Sequence, residues 1–282
     1  MKVSARFKLA ALVVAAVSLL AVMAEAAEAD RLADILKRGY VEVATEPYFA
    51  PNEFIDPAKS GNDKYVGSDI EFAKYIANKL GVELRIVPLE FGAVLVGVAE
   101  GKYDLAISAL AYTPARAEAM TLSKGYYFSK TNSGHGLLVR ASDLATIKGP
   151  EDCADKVVVA QSGSLQELFV NTQIPKFKEF KRVSTTNDAF LMVQEKKADV
   201  CVTSKTTAEL YIKANKDCGL ALVPDFQFYQ DEETLGTRIG MPKKDSAALE
   251  ARINEIVDEV VSSGIYEKWY DEYSEYAAKL GL

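Results

Sequence analysis

The sequence alternates between apolar stretches typical of strands and amphipathic stretches typical of helices over most of its length. In a first series, a helix predicted at Ser68–Leu80 lies between strands predicted at Tyr40–Ala44 and Val82–Val87. The alternation begins again with a strand at Val157–Ala160 and a helix at Leu165–Asn171. Because parallel strands need helical crossovers, this order predicts an α/β fold with parallel sheets.

Two extended runs with flanking glycines, at residues 134–140 and 235–240, separate these series from each other and from a helical tail at Ala247–Tyr276. Two similar α/β units joined by two such passages predict two lobes. Ligands of open parallel sheets bind beyond the carboxyl ends of the strands, so facing lobes would place both sets of strand ends on one cleft.

The first 26 residues have the features of a cleavable secretory signal. Lys2, Arg6 and Lys8 precede an apolar stretch over residues 9–22. Ala24-Glu25-Ala26 then offers a cleavage site of small residues, and residues 27–29 offer a second one. An uncleaved N-terminal anchor is the alternative. The pattern predicts an exported, periplasmic protein.

The net charge and the histidine and cysteine content limit which partners, metal sites and disulfides we expect. The 282-residue chain has a formal net charge of −7, which argues against nucleic acid and anionic membranes as partners. His135 is the only histidine, and the cysteine spacing matches no metal motif, so we expect no metal and no cofactor. The pairing of the three cysteines stays open. Cys153 and Cys218 are the favoured disulfide, and Cys201 is expected to be a buried thiol in an apolar strand.

A candidate anion site follows the strand predicted at Leu105–Ile107. Thr113 can cap a helix there, and Pro114 can occupy its first position. The guanidinium of Arg116 would then lie at the N-terminus of this helix, where its planar set of N–H donors can bind a carboxylate bidentately. The alternative is a surface arginine on an ordinary turn.

Five segments carry a family resemblance by their order and spacing: Gly67-Ser-Asp-Ile-Glu71, Glu100-Gly-Lys-Tyr-Asp104, Thr113-Pro-Ala-Arg116, Ser123-Lys-Gly-Tyr-Tyr127 and Gly264-Ile-Tyr-Glu-Lys-Trp269. The chain resembles the extracellular solute-binding proteins of family 3, the periplasmic amino-acid receptors of ABC importers. The resemblance implies a two-lobed periplasmic binding protein-like II fold with two hinge crossovers. With the signal peptide at 1–26, we expect lobe 1 at 27–138 plus 236–282 and lobe 2 at 139–235.

The resemblance also implies roles for single residues. Arg116 falls on the position that binds the ligand carboxylate, and Glu46 on an acidic position that contacts the distal end of the ligand. Phe49 and Phe91 fall where aromatic rings enclose the ligand, although core packing would explain them too, and Glu46 could be a solvated loop residue. The remaining implied contacts lie on the loops after two strands: Ser108, Ala109, Gly163 and Ser164.

Three positions depart from the family pattern. Ser204 replaces an aspartate that binds the ligand's α-ammonium, Ala111 replaces a hydroxyl residue, and Leu165 replaces a small hydroxyl residue after Gly-Ser. The carboxylate contact is kept while ammonium contacts are weakened. This predicts a ligand whose amine is absent, modified or held differently, for example by Glu46.

We therefore expect a binding protein, not an enzyme, that captures a small carboxylate such as an amino acid and delivers it to an ABC permease in the inner membrane. We expect it to be a monomer. Two alternatives remain at this point. One is a dehydratase on the same scaffold with Glu46 as general acid, and the other is a ligand sensor for a separate receptor.

Overall fold

A computed structural model describes residues 30–128, 134–232 and 234–281. The predicted signal peptide at 1–26 lies outside the described residues. Within the described ranges, no helix combines the length and the apolar character needed to cross a membrane.

The described chain contains nine α-helices and thirteen strands. The helices are α1 (Arg31–Arg38), α2 (Ser68–Leu80), α3 (Phe91–Ala99), α4 (Pro114–Ala119), α5 (Leu165–Gln173), α6 (Thr186–Gln194), α7 (Lys205–Ala214), α8 (Ala247–Ser263) and α9 (Ile265–Leu280). The strands are β1 (Tyr40–Thr45), β2 (Tyr48–Phe49), β3 (Glu53–Ile55), β4 (Tyr65–Val66), β5 (Glu83–Pro88), β6 (Leu105–Ala111), β7 (Thr121–Leu122), β8 (His135–Arg140), β9 (Val157–Gln161), β10 (Glu179–Val183), β11 (Val200–Ser204), β12 (Leu220–Leu222) and β13 (Thr237–Met241).

Two five-stranded sheets organise these elements. Sheet 1 has the spatial order β5-β1-β6-β13-β7, and sheet 2 has the order β10-β9-β11-β8-β12. Three neighbouring strands of each sheet are parallel: β5, β1 and β6 in sheet 1, and β10, β9 and β11 in sheet 2. The fourth strand is antiparallel to its neighbour in this group: β13 to β6 in sheet 1, and β8 to β11 in sheet 2. The predicted alternation of strands and helices is thus confirmed, with the expected parallel cores.

Strand β8 bears on the predicted lobe boundary. It pairs with β11 through His135–Val139 and with β12 through Leu138–Arg140, so all of it lies in sheet 2. Residues 135–138, which the sequence assigned to lobe 1, therefore pair with the second series. We propose that lobe 2 begins before His135, with sheets 1 and 2 as the cores of the two lobes.

Helices cover both faces of sheet 1. On one face, a cluster that includes Phe72, Ile76 and Tyr266 packs α2, α8 and α9 against the strands. On the other face, Val94 and Val98 of α3 pack against the neighbouring alanines of β1 and β6. This two-sided burial explains the continuous apolar run Leu105–Ile107 at the start of β6.

The helical tail is divided at Gly264. The sequence predicted helix over Ala247–Tyr276, and the structure has two helices that meet at Gly264, whose φ is +63°. Glycine adopts this left-handed conformation without steric cost, so it ends α8 and redirects the chain into α9. Also unpredicted are α1 and a small antiparallel sheet of β2, β3 and β4.

The favoured disulfide between Cys153 and Cys218 is wrong, because all three cysteines are free and buried. Neighbouring residues of β8 show why. Cys153 packs in the cluster that contains Leu137 and Val139, whereas Cys218 packs in the cluster that contains Leu138. Successive side chains of a strand point to opposite faces, so the two cysteines lie on opposite sides of sheet 2. Cys201 is a buried thiol as predicted.

Candidate functional site

A cavity of about 230 Å³ lies where the strand ends of sheets 1 and 2 face each other. Ten of the eleven predicted site residues line it: Glu46, Phe49, Phe91, Ser108, Ala109, Ala111, Arg116, Ser164, Leu165 and Ser204. Gly163, the eleventh, contacts the lining through its carbonyl group, which accepts a hydrogen bond from Arg116. The structure thus brings the predicted residues together around one cavity.

Arg116 is held in this cavity by the local structure that the sequence predicted. Thr113 caps α4, its Oγ1 accepts a hydrogen bond from the Arg116 N–H at 3.2 Å, and Pro114 occupies the first helical position. The Arg116 residue is only 6% exposed, which excludes the surface-arginine alternative. Its guanidinium lies 5.3 Å from the centre of the Phe91 ring.

The guanidinium of Arg116 has backbone partners but no carboxylate partner in the described part of the chain. Nη1 donates to the Ala111 carbonyl at 2.7 Å, and Nη2 donates to the Gly163 carbonyl at 3.0 Å. Burial lowers the pKa of Arg116 to about 10, so the group stays charged at neutral pH. A buried cation without a counter-ion is costly, and a bound anion would remove that cost.

The loop of Gly163 and Ser164 is engaged within the protein. The Gly163 N–H donates to Oε2 of Glu167 at 2.8 Å, and the Ser164 Oγ donates to the Gln161 carbonyl at 2.6 Å. Ser164 also caps α5, where its Oγ accepts the Glu167 N–H at 3.2 Å. The N–H group of Gly163, one of the implied ligand contacts, is therefore occupied within the protein, which leaves Arg116 as the principal anion-binding group.

Glu46 follows the carboxyl end of β1 and is buried, with 1% of its surface exposed, so the solvated-loop alternative is wrong. Its Oε1 has no hydrogen-bond partner among the described residues. Burial raises the pKa of Glu46 to about 8, and the charges of Asp188 and Glu90 contribute in the same direction. A hydrogen bond with the Gln161 side chain opposes this shift of the pKa. A cationic ligand group would favour the ionised form of this carboxyl.

Glu53 is a second buried acid in the cavity wall that sequence reasoning missed. Its Oε1 accepts a hydrogen bond from the Ser108 Oγ at 2.8 Å. Burial and the neighbouring Asp69 carboxylate raise its pKa well above the usual range. Glu53 lies in β3, a three-residue strand without enough length to show a periodic pattern, so no sequence signal marked it.

His135, which the sequence assigned to no site, also lines the cavity. Its Nδ1 lies 3.3 Å from Oε1 of Gln230, and its ring packs edge-on against Phe169. Burial lowers its pKa to about 4, so the ring is neutral at neutral pH. His135 therefore contributes a polar surface without a charge.

The positions that depart from the family pattern stay uncharged in the cavity. Ser204 caps α7, where its Oγ accepts the Thr207 N–H at 3.4 Å. Leu165 is buried in the apolar cluster of sheet 2. Sheet 2 thus brings no carboxylate to the described cavity lining.

Comparison with known proteins agrees with this geometry. Residues 41–276 match the family model described as bacterial extracellular solute-binding proteins, family 3. The chain is 27% identical over 210 residues to the arginine-binding extracellular protein ArtP of Bacillus subtilis, covering 73% of this chain and 76% of that protein.

Solved structures show the same likeness. The amino acid ABC transporter substrate-binding protein AbpA of Streptococcus pneumoniae, bound to L-arginine, has a TM-score of 0.76 and 30% identity, covering 87% of this chain and 98% of that one. The ancestral amino acid-binding protein AncCDT-1, described as a precursor of cyclohexadienyl dehydratase, has a TM-score of 0.72 and 27% identity, covering 87% of this chain and 99% of that one. The chain therefore belongs to the bacterial extracellular solute-binding proteins of family 3 and has their two-lobed fold.

Proposed function

We propose that this protein captures an amino acid or amino-acid-like carboxylate in the cavity between its sheets and delivers it to an ABC permease in the inner membrane. The observation that carries the proposal is the buried guanidinium of Arg116, which has no carboxylate partner in the described residues. A ligand carboxylate supplies the missing charge and can use the remaining guanidinium N–H groups.

The second element of the proposal is a positive group on the ligand, which Glu46 binds. Glu46 supports this because it is buried, lines the same cavity and has an oxygen without a protein partner in the described chain. The arginine-binding relatives support it too, since arginine carries a cation at the end opposite its carboxylate. Phe49 and Phe91 supply the apolar walls between the two charged ends.

The α-amine of the ligand has fewer acceptors than the family pattern provides. Ser204 and Ala111 stand where acidic and hydroxyl side chains are usual, and the Ser204 hydroxyl already caps α7. The proposal is therefore that the amine is absent, modified or held by Glu46. Capture by binding alone needs no chemical step, and we propose a periplasmic monomer released from its signal peptide.

Titration calorimetry of the mature protein tests the proposal with L-arginine, L-lysine, L-histidine, L-glutamine, agmatine and deaminoarginine. Agmatine lacks the carboxylate of arginine, and deaminoarginine lacks its α-amine. We expect carboxylate-bearing cations to bind most tightly and agmatine to bind weakly. Equal binding of agmatine and arginine would contradict the role of Arg116. Tight binding of arginine with no binding of deaminoarginine would contradict the weakened amine contact.

One observation favours a second function. A general acid must hold its proton at neutral pH, and the raised pKa of Glu46, about 8, meets this requirement. The likeness to a dehydratase precursor adds to it. Incubation with prephenate and arogenate separates the two functions, because a binding protein releases both compounds unchanged.

A further inference from the structure

Ala109 has an unusual backbone conformation at the wall of the cavity. It lies near the end of β6 with a φ of +46°, which non-glycine residues rarely adopt. The other described non-glycine residues with positive φ are Lys196, Asp225 and Asp245, and all three are exposed. The left-handed conformation is sterically unfavourable for an alanine, so the surrounding structure must hold it.

Asp69 is hydrogen-bonded to the backbone of this residue. Its Oδ2 accepts the Ala109 N–H at 2.7 Å, across 40 residues of sequence. Its Oδ1 accepts hydrogen bonds from the hydroxyl groups of Tyr126 at 2.8 Å and Tyr266 at 2.5 Å. Asp69 is buried in the first turn of α2, and this burial raises the pKa of its carboxyl group. The two tyrosine hydroxyl groups thus fix the position of the carboxyl group that contacts Ala109.

The left-handed backbone at Ala109, within β6, helps to place the groups on either side of it. Ser108, immediately before it, donates to Glu53 and accepts the Glu46 N–H at 3.1 Å. Ala111, two residues after it, accepts the hydrogen bond from Arg116. A change of the Ala109 φ to a negative value would redirect the chain between these contacts. The position of Arg116 relative to Glu46 therefore depends on one strained residue.

We propose that Asp69 is a positioning residue of the ligand site, which acts by holding Ala109 in its left-handed conformation. Asp69 does not line the described cavity, so it needs no contact with the ligand. The inference rests on the proposed function, because its effect is a change in ligand affinity.

The test combines a change at Asp69 with removal of the strain at Ala109. Glycine adopts positive φ freely, so Ala109→Gly should make the turn independent of Asp69. The variants are Asp69→Ala, Ala109→Gly and the double variant, and L-arginine is the probe in titration calorimetry. The matched control is Ala106→Gly, which removes the same methyl group from a β6 residue without positive φ.

We expect Asp69→Ala to weaken arginine binding by about tenfold or more. The Asp69→Ala/Ala109→Gly variant should bind within about threefold of Ala109→Gly alone, whereas Ala106→Gly should restore nothing. Asp69→Asn keeps one carbonyl acceptor and should lose less affinity than Asp69→Ala. Equal effects of Ala109→Gly and Ala106→Gly in the Asp69→Ala background would overturn the proposal.

Urea unfolding keeps the two proposals distinguishable. If the unsubstituted protein binds no compound of the panel, the proposed function fails, and the unfolding cycle still tests the role of Asp69. The loss of stability from Asp69→Ala should then be smaller in the Ala109→Gly background, and additive losses would overturn the inference. If Asp69→Ala does not fold, the urea midpoint of the single variant Ala109→Gly tests the strain on which the inference depends. This substitution should leave the urea midpoint unchanged or raised, and a lowered midpoint would contradict strain at Ala109.

Discussion

Sheet 1 and sheet 2 contribute different chemistry to the same cavity. From the sheet 1 side come the buried ionisable groups Glu46, Glu53 and Arg116. From the sheet 2 side come uncharged polar groups such as Gln161 and Ser204, together with apolar Leu165 and neutral His135 in the described lining. The two sheets are alike in strand number and in their three-stranded parallel cores, so the fold alone does not cause this difference.

This difference indicates which half of the molecule holds the groups that recognise the ligand. Ionisable groups fixed within one half keep their geometry whatever the position of the other half. Hydrogen bonds within this half fix these groups: Ser108 of β6 links Glu46 and Glu53, and Asp69 of α2 accepts the Ala109 N–H. Sheet 2 adds the Gly163 carbonyl as a neutral partner for Arg116. We infer that the first half selects the ligand by charge and the second half encloses it.

The largest expected effect comes from the cation of the charged half. Arg116→Ala should weaken binding of L-arginine by roughly 3–5 kcal/mol, because the ligand carboxylate would be buried without its partner. Calorimetry measures the loss, with Arg252→Ala as control, since Arg252 pairs with Glu255 on the exposed face of α8. A comparable loss in both variants would show that Arg116 has no special role.

The next effect concerns stability and pH. Folded Glu46 keeps its proton up to about pH 8, whereas in the unfolded chain its pKa returns to its ordinary value of 4.5. Between these values the folded state binds more protons, so the free energy of unfolding falls as pH rises. For one proton the loss between pH 5 and pH 7 is about 2–3 kcal/mol.

Urea unfolding of the ligand-free protein and of Glu46→Gln measures this effect. Other buried acids, Glu53 among them, titrate in both proteins, so the difference between the two curves isolates Glu46. The variant should lose less stability than the unsubstituted protein over this range. Parallel curves would contradict a buried, protonated Glu46.

A smaller effect concerns the ligand's positive group. Glu46→Gln should weaken L-arginine binding by about 1.5–3 kcal/mol, because a hydrogen bond to a charged group is lost. Binding of L-glutamine, which has no cation in its side chain, should change much less. In the unsubstituted protein, arginine affinity should rise toward pH 8, since free Glu46 must lose its proton to pair with the cation. A pH-independent affinity would contradict this pairing.

The smallest effect comes from adding charge to the neutral half. Ser204→Asp keeps a helix-capping side chain and places a carboxylate at the cavity. It should improve L-arginine binding by roughly 1 kcal/mol and weaken deaminoarginine binding, since only the former has an α-ammonium. Thr185→Asp is the matched control, because Thr185 caps α6 and does not line the described cavity. An equal response of both ligands would contradict the account of the missing amine contact.

The sequence predicted those parts of the site that depend on local rules. The Thr113 cap, Pro114 and the buried Arg116 follow from helix-start chemistry, and Ser68–Leu80 follows from its apolar period and Gly81. Glu53 was missed because β3 pairs only through short neighbours, β2 and β4, which have no periodic signal of their own. The cysteine pairing failed for a related reason, since which face of sheet 2 each thiol occupies depends on distant packing.

The most direct measurement of the central claim is a calorimetric cycle with two proteins, unsubstituted and Arg116→Ala, and two ligands, L-arginine and agmatine. The account predicts that L-arginine binds the unsubstituted protein far more tightly than agmatine does. It also predicts that Arg116→Ala removes most of this preference, because the guanidinium and the ligand carboxylate act on each other. A preference of the same size in both proteins would contradict it.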